Sequence, residues 1–162
     1  RNQLRHNERE IAKSSNPDID PERQCYDYKL SPDRGMTDYD YFLQRKSELY
    51  CYGREDVKVM AGWIVTAPQD LAEEREHQFF ETVYDFLAAR YGEENVVQAI
   101  VHDDEGGQPH LHFCFIPTVE DPKHEQGIKS VHTKCSPAVS CVIYIQTCSA
   151  TWTNTVWTMP VS

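Results

Sequence analysis

The clearest hydrophobic period lies between Asp70 and Tyr91. Apolar residues at 71, 79, 80, 83, 86, 87 and 91 return every three or four positions, which predicts an amphipathic helix with one face on a core. Asp70 is placed to cap its start and Gly92 to end it. On either side the period shortens. "VKVMAGWIVTAP" (57–68) is a β-rich run stopped by Pro68, and "NVVQAIVH" (95–102) is another strand. "DDEGGQP" (103–109) has the glycines and proline of a turn, and "HLHFCFIP" (110–117) is a strand ended by Pro117. Upstream, "MTDYDYFLQRKSELYC" (36–51) carries apolar residues at 39, 42, 43, 49 and 50 behind Thr37 as N-cap, which predicts a second helix. "CYDYKL" (25–30) alternates weakly, as a short strand would. Residues 5–12 can form a helical turn, and "NPDIDPER" (16–23) marks turns. The order strand, helix, strand, turn, strand predicts an α+β fold: an antiparallel sheet with helices packed on one face.

Composition adds limits. The chain has 162 residues, enough for one domain with a real core, and its apolar and charged fractions, 40% and 26%, are ordinary for a globular protein. No apolar run is long enough to span a bilayer. Six cysteines contain no CxxC pair, which argues against a cysteine-rich zinc module and points to a reducing, cytoplasmic setting. The first residue is Arg1, so a piece of a longer product is expected. Net charge is −10, which lowers the expectation of a nucleic-acid partner without removing it, because residues 1–24 are locally balanced with five basic and five acidic residues. Beyond about residue 125 the composition changes. Residues 126–162 hold no Asp or Glu, eleven Ser or Thr and three cysteines, with "CVIYIQT" as a strand candidate. Two units are therefore expected, a domain over 1–125 and an unassigned tail over 126–162. The tail reads either as sequence out of register or as a segment that orders with a partner.

Three of the seven histidines fall in "VHDDEGGQPHLHF". Alternate residues of a strand share a face, so His110 and His112 point the same way. If the strands on either side of the turn pair, His102 lies opposite or diagonal to both, with Cβ atoms about 4.5–8 Å apart. Three imidazoles at that separation can share one ion and leave coordination positions open, as catalytic sites do. Glu105, on the turn, reads as a fourth ligand, an orienting group or a base. Asp103 and Asp104 read as solvated turn residues. His77, His124 and His132 have no partners in the sequence.

These blocks resemble the Pre/Mob (MobV-type) plasmid mobilisation relaxases, a branch of the HUH endonucleases named for His, hydrophobic residue, His: here His110, Leu111, His112. "RHNERE" resembles that family's amino-terminal His-Asn-Glu-Arg block and "NPDIDPERQCYDYKL" the block after it. "GWIVTAPQD" and "FFETVYDFLAARYGEENV" resemble the strand and helix before the metal hairpin. The likeness covers roughly residues 5–120. The turn between Glu105 and His110 is one residue longer than the family's, and the family's strand before the His-Asn-Glu-Arg block has no counterpart here.

The resemblance implies metal-dependent, strand-specific nicking of single-stranded DNA at a plasmid transfer origin, with the protein left covalently on the 5′ end. It implies bacterial cytoplasm, other mobilisation or conjugation proteins as partners, and no membrane segment. His102, His110 and His112 would hold a divalent cation, manganese by preference or magnesium. Donor softness conflicts with this, because three imidazoles suit zinc, iron, nickel or copper. His6 maps to the expected nucleophile, with Tyr26, Tyr28, Tyr50 and Tyr52 as fallbacks. Glu105 would assist catalysis. Arg9, Arg23 and Arg54 are candidate phosphate contacts, and Arg9 is also suited to the glutamate of its own block, Glu8. Two other readings stay open: a zinc hydrolase built on the same three histidines with Glu105 as base, and a DNA-binding remnant without activity.

Overall fold

The computed structural model describes residues 2–9, 19–53, 59–105, 107–130 and 142–143. In chain order the elements are α1 (Asn2–Asn7), β1 (Tyr28–Lys29), α2 (Asp38–Ser47), β2 (Ala61–Thr66), α3 (Glu76–Tyr91), β3 (Val96–His102), β4 (His110–Phe115), β5 (Thr118–Glu120), β6 (Ile128–Ser130) and β7 (Val142–Ile143). Among the described residues five strands form one sheet in the order β1-β3-β4-β2-β7, and β5 and β6 form a separate hairpin. All pairings of the main sheet are antiparallel except β2 with β7. The α+β architecture matches the sequence pattern.

Strand β3 lies between β1 and β4, and all seven of its residues are buried. A strand covered on both sides carries a near-continuous apolar run, which here is Val96, Val97, Ala99, Ile100 and Val101. On one side Ala99 and Val101, with Leu111 and Phe113 of β4 and Val65 of β2, pack under Phe79, Phe80, Leu87 and Ala88 of α3. Trp63 joins this side, its indole N–H donating to the Tyr91 hydroxyl at 3.0 Å. On the other side Leu4 of α1 and Leu49, just beyond α2, pack with Val97, Cys114 and Ile116. The expectation that all helices share one face is therefore corrected. A central strand buried on both sides needs cover on both, and the short helices α1 and α2 supply the second layer.

Some boundaries move as well. Thr37 caps α2 as expected, its Oγ1 accepting from the Asp40 amide at 3.1 Å. Helix α3 begins at Glu76, not at Asp70: residues 69–70 turn, Ala72 is extended, and a single 3-10 turn over Glu73–Arg75 leads in. Gly92 ends α3 with φ +86°, and a Cβ there would lie 2.6 Å from the Glu94 carboxylate. Phe86, counted on the buried stripe by spacing, is 60% exposed. Of "CYDYKL" only Tyr28–Lys29 is strand.

Candidate metal centre

Register places the three histidines. His102 pairs directly with His110 across β3 and β4, and His112, two residues on, pairs with Ile100. All three therefore lie on the sheet face opposite α3. Their ring centroids are 4.6 Å apart for His102 and His112, 4.9 Å for His110 and His112, and 5.6 Å for His102 and His110. One ring nitrogen from each falls within 4.8 Å of the others.

Hydrogen bonds decide which nitrogens are free. His102 Nε2 lies 2.8 Å from the Asn7 carbonyl, which can only accept, so the proton is on Nε2. That leaves the buried Nδ1 of His102 with a lone pair and no partner. His110 Nδ1 donates to the Gln108 carbonyl at 3.3 Å, freeing Nε2, which lies 3.1 Å from His112 Nε2. Burial pulls the His102 imidazole down to about 4 and that of His112 to about 2, with neighbouring positive charge adding to the effect. Rings of this kind are neutral near pH 7, the state a metal requires. An orphaned buried nitrogen and two close Nε2 atoms fit a divalent cation, with Asn7 and Gln108 orienting the ligands from behind.

Glu105 stands beside the triad, 3.9 Å from His102 Nδ1 and 3.7 Å from His110 Nε2. It is held by Arg9, whose Nη2 contacts Glu105 at 3.1 Å and also bonds Asp104, while Nε lies 3.6 Å from Asp27. Arg9 has φ +55°, a left-handed conformation that costs a non-glycine residue about 1–2 kcal/mol. Burial opposes the Arg9 charge, yet its bonds to Asp104 and Glu105 hold its pKa above the ordinary arginine value. Asp27 is pushed up to about 6, first by burial, with the nearby Asp104 charge adding to it. The reading of Asp104 as a solvated turn residue is overturned. It is 1% exposed, because the strand end carries it under Arg9. Asp103 is half-buried and pairs with Arg23 at 2.8 Å.

The other expected site residues separate. His6, half-buried on α1, is close enough for its charge to disfavour protonation of His112. Arg23 is on the surface, 52% exposed. Arg54 and His132 lie outside the described residues. Tyr28 sits on the α3 side of the sheet and stacks on His77 at 4.9 Å. Tyr50 stacks on His124 at 3.5 Å beside the β5–β6 hairpin, with Tyr52 at its edge. Sequence reasoning missed Asn7, Asp27 and Gln98. Asn7 was within a recognised block, but its carbonyl, not its side-chain type, meets the histidine.

A His-hydrophobic-His strand paired to a third histidine on an antiparallel sheet is an HUH-type metal hairpin. The chain belongs to the Mob_Pre family of plasmid recombination enzymes, whose model matches residues 1–132. It is 35% identical over 123 residues to a plasmid recombination enzyme of Streptococcus agalactiae and 31% over 125 residues to one of Lactiplantibacillus plantarum. These matches cover 70% and 73% of this chain but 24% and 34% of the relatives, so the chain spans about a quarter to a third of their length. Among solved structures it resembles the MobM relaxase domain (MOBV; Mob_Pre) bound to plasmid pMV158 oriT DNA, a Mn-bound crystal structure at pH 6.8. The TM-score is 0.60 at 34% identity, covering 70% of this chain and 62% of that one.

Proposed function

We propose that residues 1–125 are the catalytic part of a plasmid mobilisation relaxase, nicking one strand of DNA at a transfer origin. The reading rests on one arrangement: three imidazoles converge on the sheet face against which α1, the helix bearing His6, is packed. His102, His110 and His112 hold the divalent cation, manganese first and magnesium second. When bound, the cation neutralises charge on the scissile phosphate. His6 attacks phosphorus through the lone pair of a ring nitrogen. The N–P bond forms as the P–O3′ bond breaks, and the N–H proton lost by the phosphorylated ring balances the one O3′ takes up, leaving a 3′-hydroxyl strand and the 5′ phosphate on His6. Glu105, held by Arg9 within 4 Å of two of the imidazoles, orients the ligands or takes a proton. Arg23 and Arg54 contact phosphates. Single-stranded plasmid DNA is the substrate and other mobilisation proteins are partners, in the bacterial cytoplasm. No helix among the described residues is long and apolar enough to cross a membrane.

The test is incubation with a labelled single-stranded oligonucleotide spanning a transfer origin, with Mn²⁺. A covalent protein–DNA band is expected, lost in His6→Ala and on chelation. Cutting without an adduct would replace this reading with a zinc hydrolase. Binding without cutting would replace it with an inactive DNA-binding fragment.

A further inference from the structure

Behind the histidines runs a buried polar chain that composition and motif do not explain. Gln98 lies on the same face of β3 as His102, four residues away, and is 0% exposed. A primary amide in that position must find partners or incur a desolvation cost of about 1–3 kcal/mol. Its Oε1 accepts from Asn7 Nδ2 at 2.8 Å, and its Nε2 donates to Asp38 Oδ2 at 2.9 Å and to the Leu4 carbonyl at 3.2 Å. Asp38 accepts at its other oxygen from Lys29 Nζ at 2.6 Å. Asn7, in turn, receives the His102 Nε2 proton on its carbonyl. Thus Lys29, Asp38, Gln98, Asn7 and His102 form one hydrogen-bonded path from the surface to a ligand ring, and four of the five are buried.

The path passes through α1 at two points, Leu4 and Asn7, and His6 lies between them. Helix α1 is only six residues long and could not hold itself in place, since isolated helices shorter than about 12 residues are marginal in water. Apolar packing of Leu4 gives it an anchor but no register, because hydrophobic contact is non-directional. Gln98 supplies directional contacts at both Leu4 and Asn7, and His102 adds one at the Asn7 carbonyl.

We propose that Gln98 is a positioning residue: by gripping Leu4 and Asn7 it sets where His6 stands over the metal face and which tautomer His102 presents. This rests on the proposed relaxase reading for its consequence in catalysis, but not for its geometry. Loss of the grip would shift α1, remove the Asn7 carbonyl from His102, and so act on ion binding and on nucleophile placement together.

The experiment compares the whole chain with Gln98→Leu by three readouts. The first is Mn²⁺-induced broadening of the His6 imidazole proton signals in NMR, the second Mn²⁺ affinity by calorimetry, and the third the adduct rate with the origin oligonucleotide. In the parent chain Mn²⁺ broadens the His6 signals. In Gln98→Leu the broadening is expected to fall, with Mn²⁺ affinity down roughly 10-fold, the lower end for loss of a ligand-orienting group. Adduct formation falls further than affinity does. Gln98→Glu alone, facing Asp38, is expected to behave like Gln98→Leu. Combined with Asp38→Asn it reverses the polarity of that hydrogen bond and keeps the Asn7 contact, while the Leu4 carbonyl still lacks its donor, so part of the broadening is expected to return, which restored volume alone cannot explain. This pair decides the matter if Gln98→Leu does not fold. Undiminished broadening in both single variants, or no recovery in the pair, overturns the proposal. If the parent forms no adduct while the broadening pattern holds, the relaxase reading fails and the positioning role stands.

Discussion

Arg9 shows how one side chain can be read two ways. Its place in the His-Asn-Glu-Arg block suggests a phosphate contact, whereas the structure gives it Asp27, Asp104 and Glu105. Its side chain is 9% exposed, so these carboxylates depend on it for a counter-charge. Removing one partner of a buried pair costs about 3–5 kcal/mol, because the remaining charge stays desolvated. Arg9→Ala should therefore lower the urea midpoint strongly. Arg9→Lys should recover only part of it, since one ammonium cannot match a fork that meets three acids through Nε and Nη2. Equal midpoints for Arg9→Ala and the parent would show that the carboxylates do not need it. His102, His110 and His112 were legible as a cluster because strand periodicity puts His110 and His112 on one face and pairing across the turn brings His102 to it. Asn7 was not, because its contact to His102 runs through a backbone carbonyl, which every residue type possesses.

At the level of elements, the long helix and the two histidine strands could be read from hydrophobic spacing, and their pairing follows from the turn between them. The second layer could not. Helix α1 has six residues and α2 a mostly polar surface, so neither gives a strong period. What assigns them to the site face is burial of β3 on both sides, visible only once the sheet is assembled. Phe80 is the centre of the opposite layer, fully buried among Phe79, Leu87 and the inward residues of β3 and β4. Phe80→Ala should cost about 3–5 kcal/mol in unfolding free energy. Because α3 lies on the far face, Mn²⁺ affinity of the folded fraction should change little. A large loss of affinity in that variant would mean that the two layers are energetically coupled through the sheet.

For the whole molecule, the depressed imidazoles make stability depend on pH. His102 and His112 titrate at about 4 and about 2 when folded, against an ordinary 6.5. Above 6.5 neither state carries these protons and their contribution is fully present. As pH falls below 6.5 the unfolded chain takes up protons first, and stability drops until the folded rings also protonate. Asp27, raised to about 6, works the other way, since the folded state binds its proton first; Glu76, also raised by burial, does the same. Its charge makes Asp27 a burden above pH 6 that acid relieves. With two strongly depressed rings against these acids, the urea midpoint should be lower at pH 5 than at pH 7.5. The gap should narrow when His102 and His112 are both changed to Gln. A midpoint that rises on acidification would mean that the carboxyl groups outweigh the imidazoles.

The single carbonyl of Asn7 that receives the His102 proton has a wider consequence. A ring held in one tautomer from behind grips an ion better, and a ring gripped by an ion donates a stronger bond backwards. Ion capture and seating of the amino-terminal turn thus reinforce each other. On the proposed reading, with His6 as nucleophile and the three histidines as ligands, a chelator would loosen the attacking group at the same time as it empties the site, so the chain would be disarmed as one unit instead of keeping a poised nucleophile without its electrophilic partner.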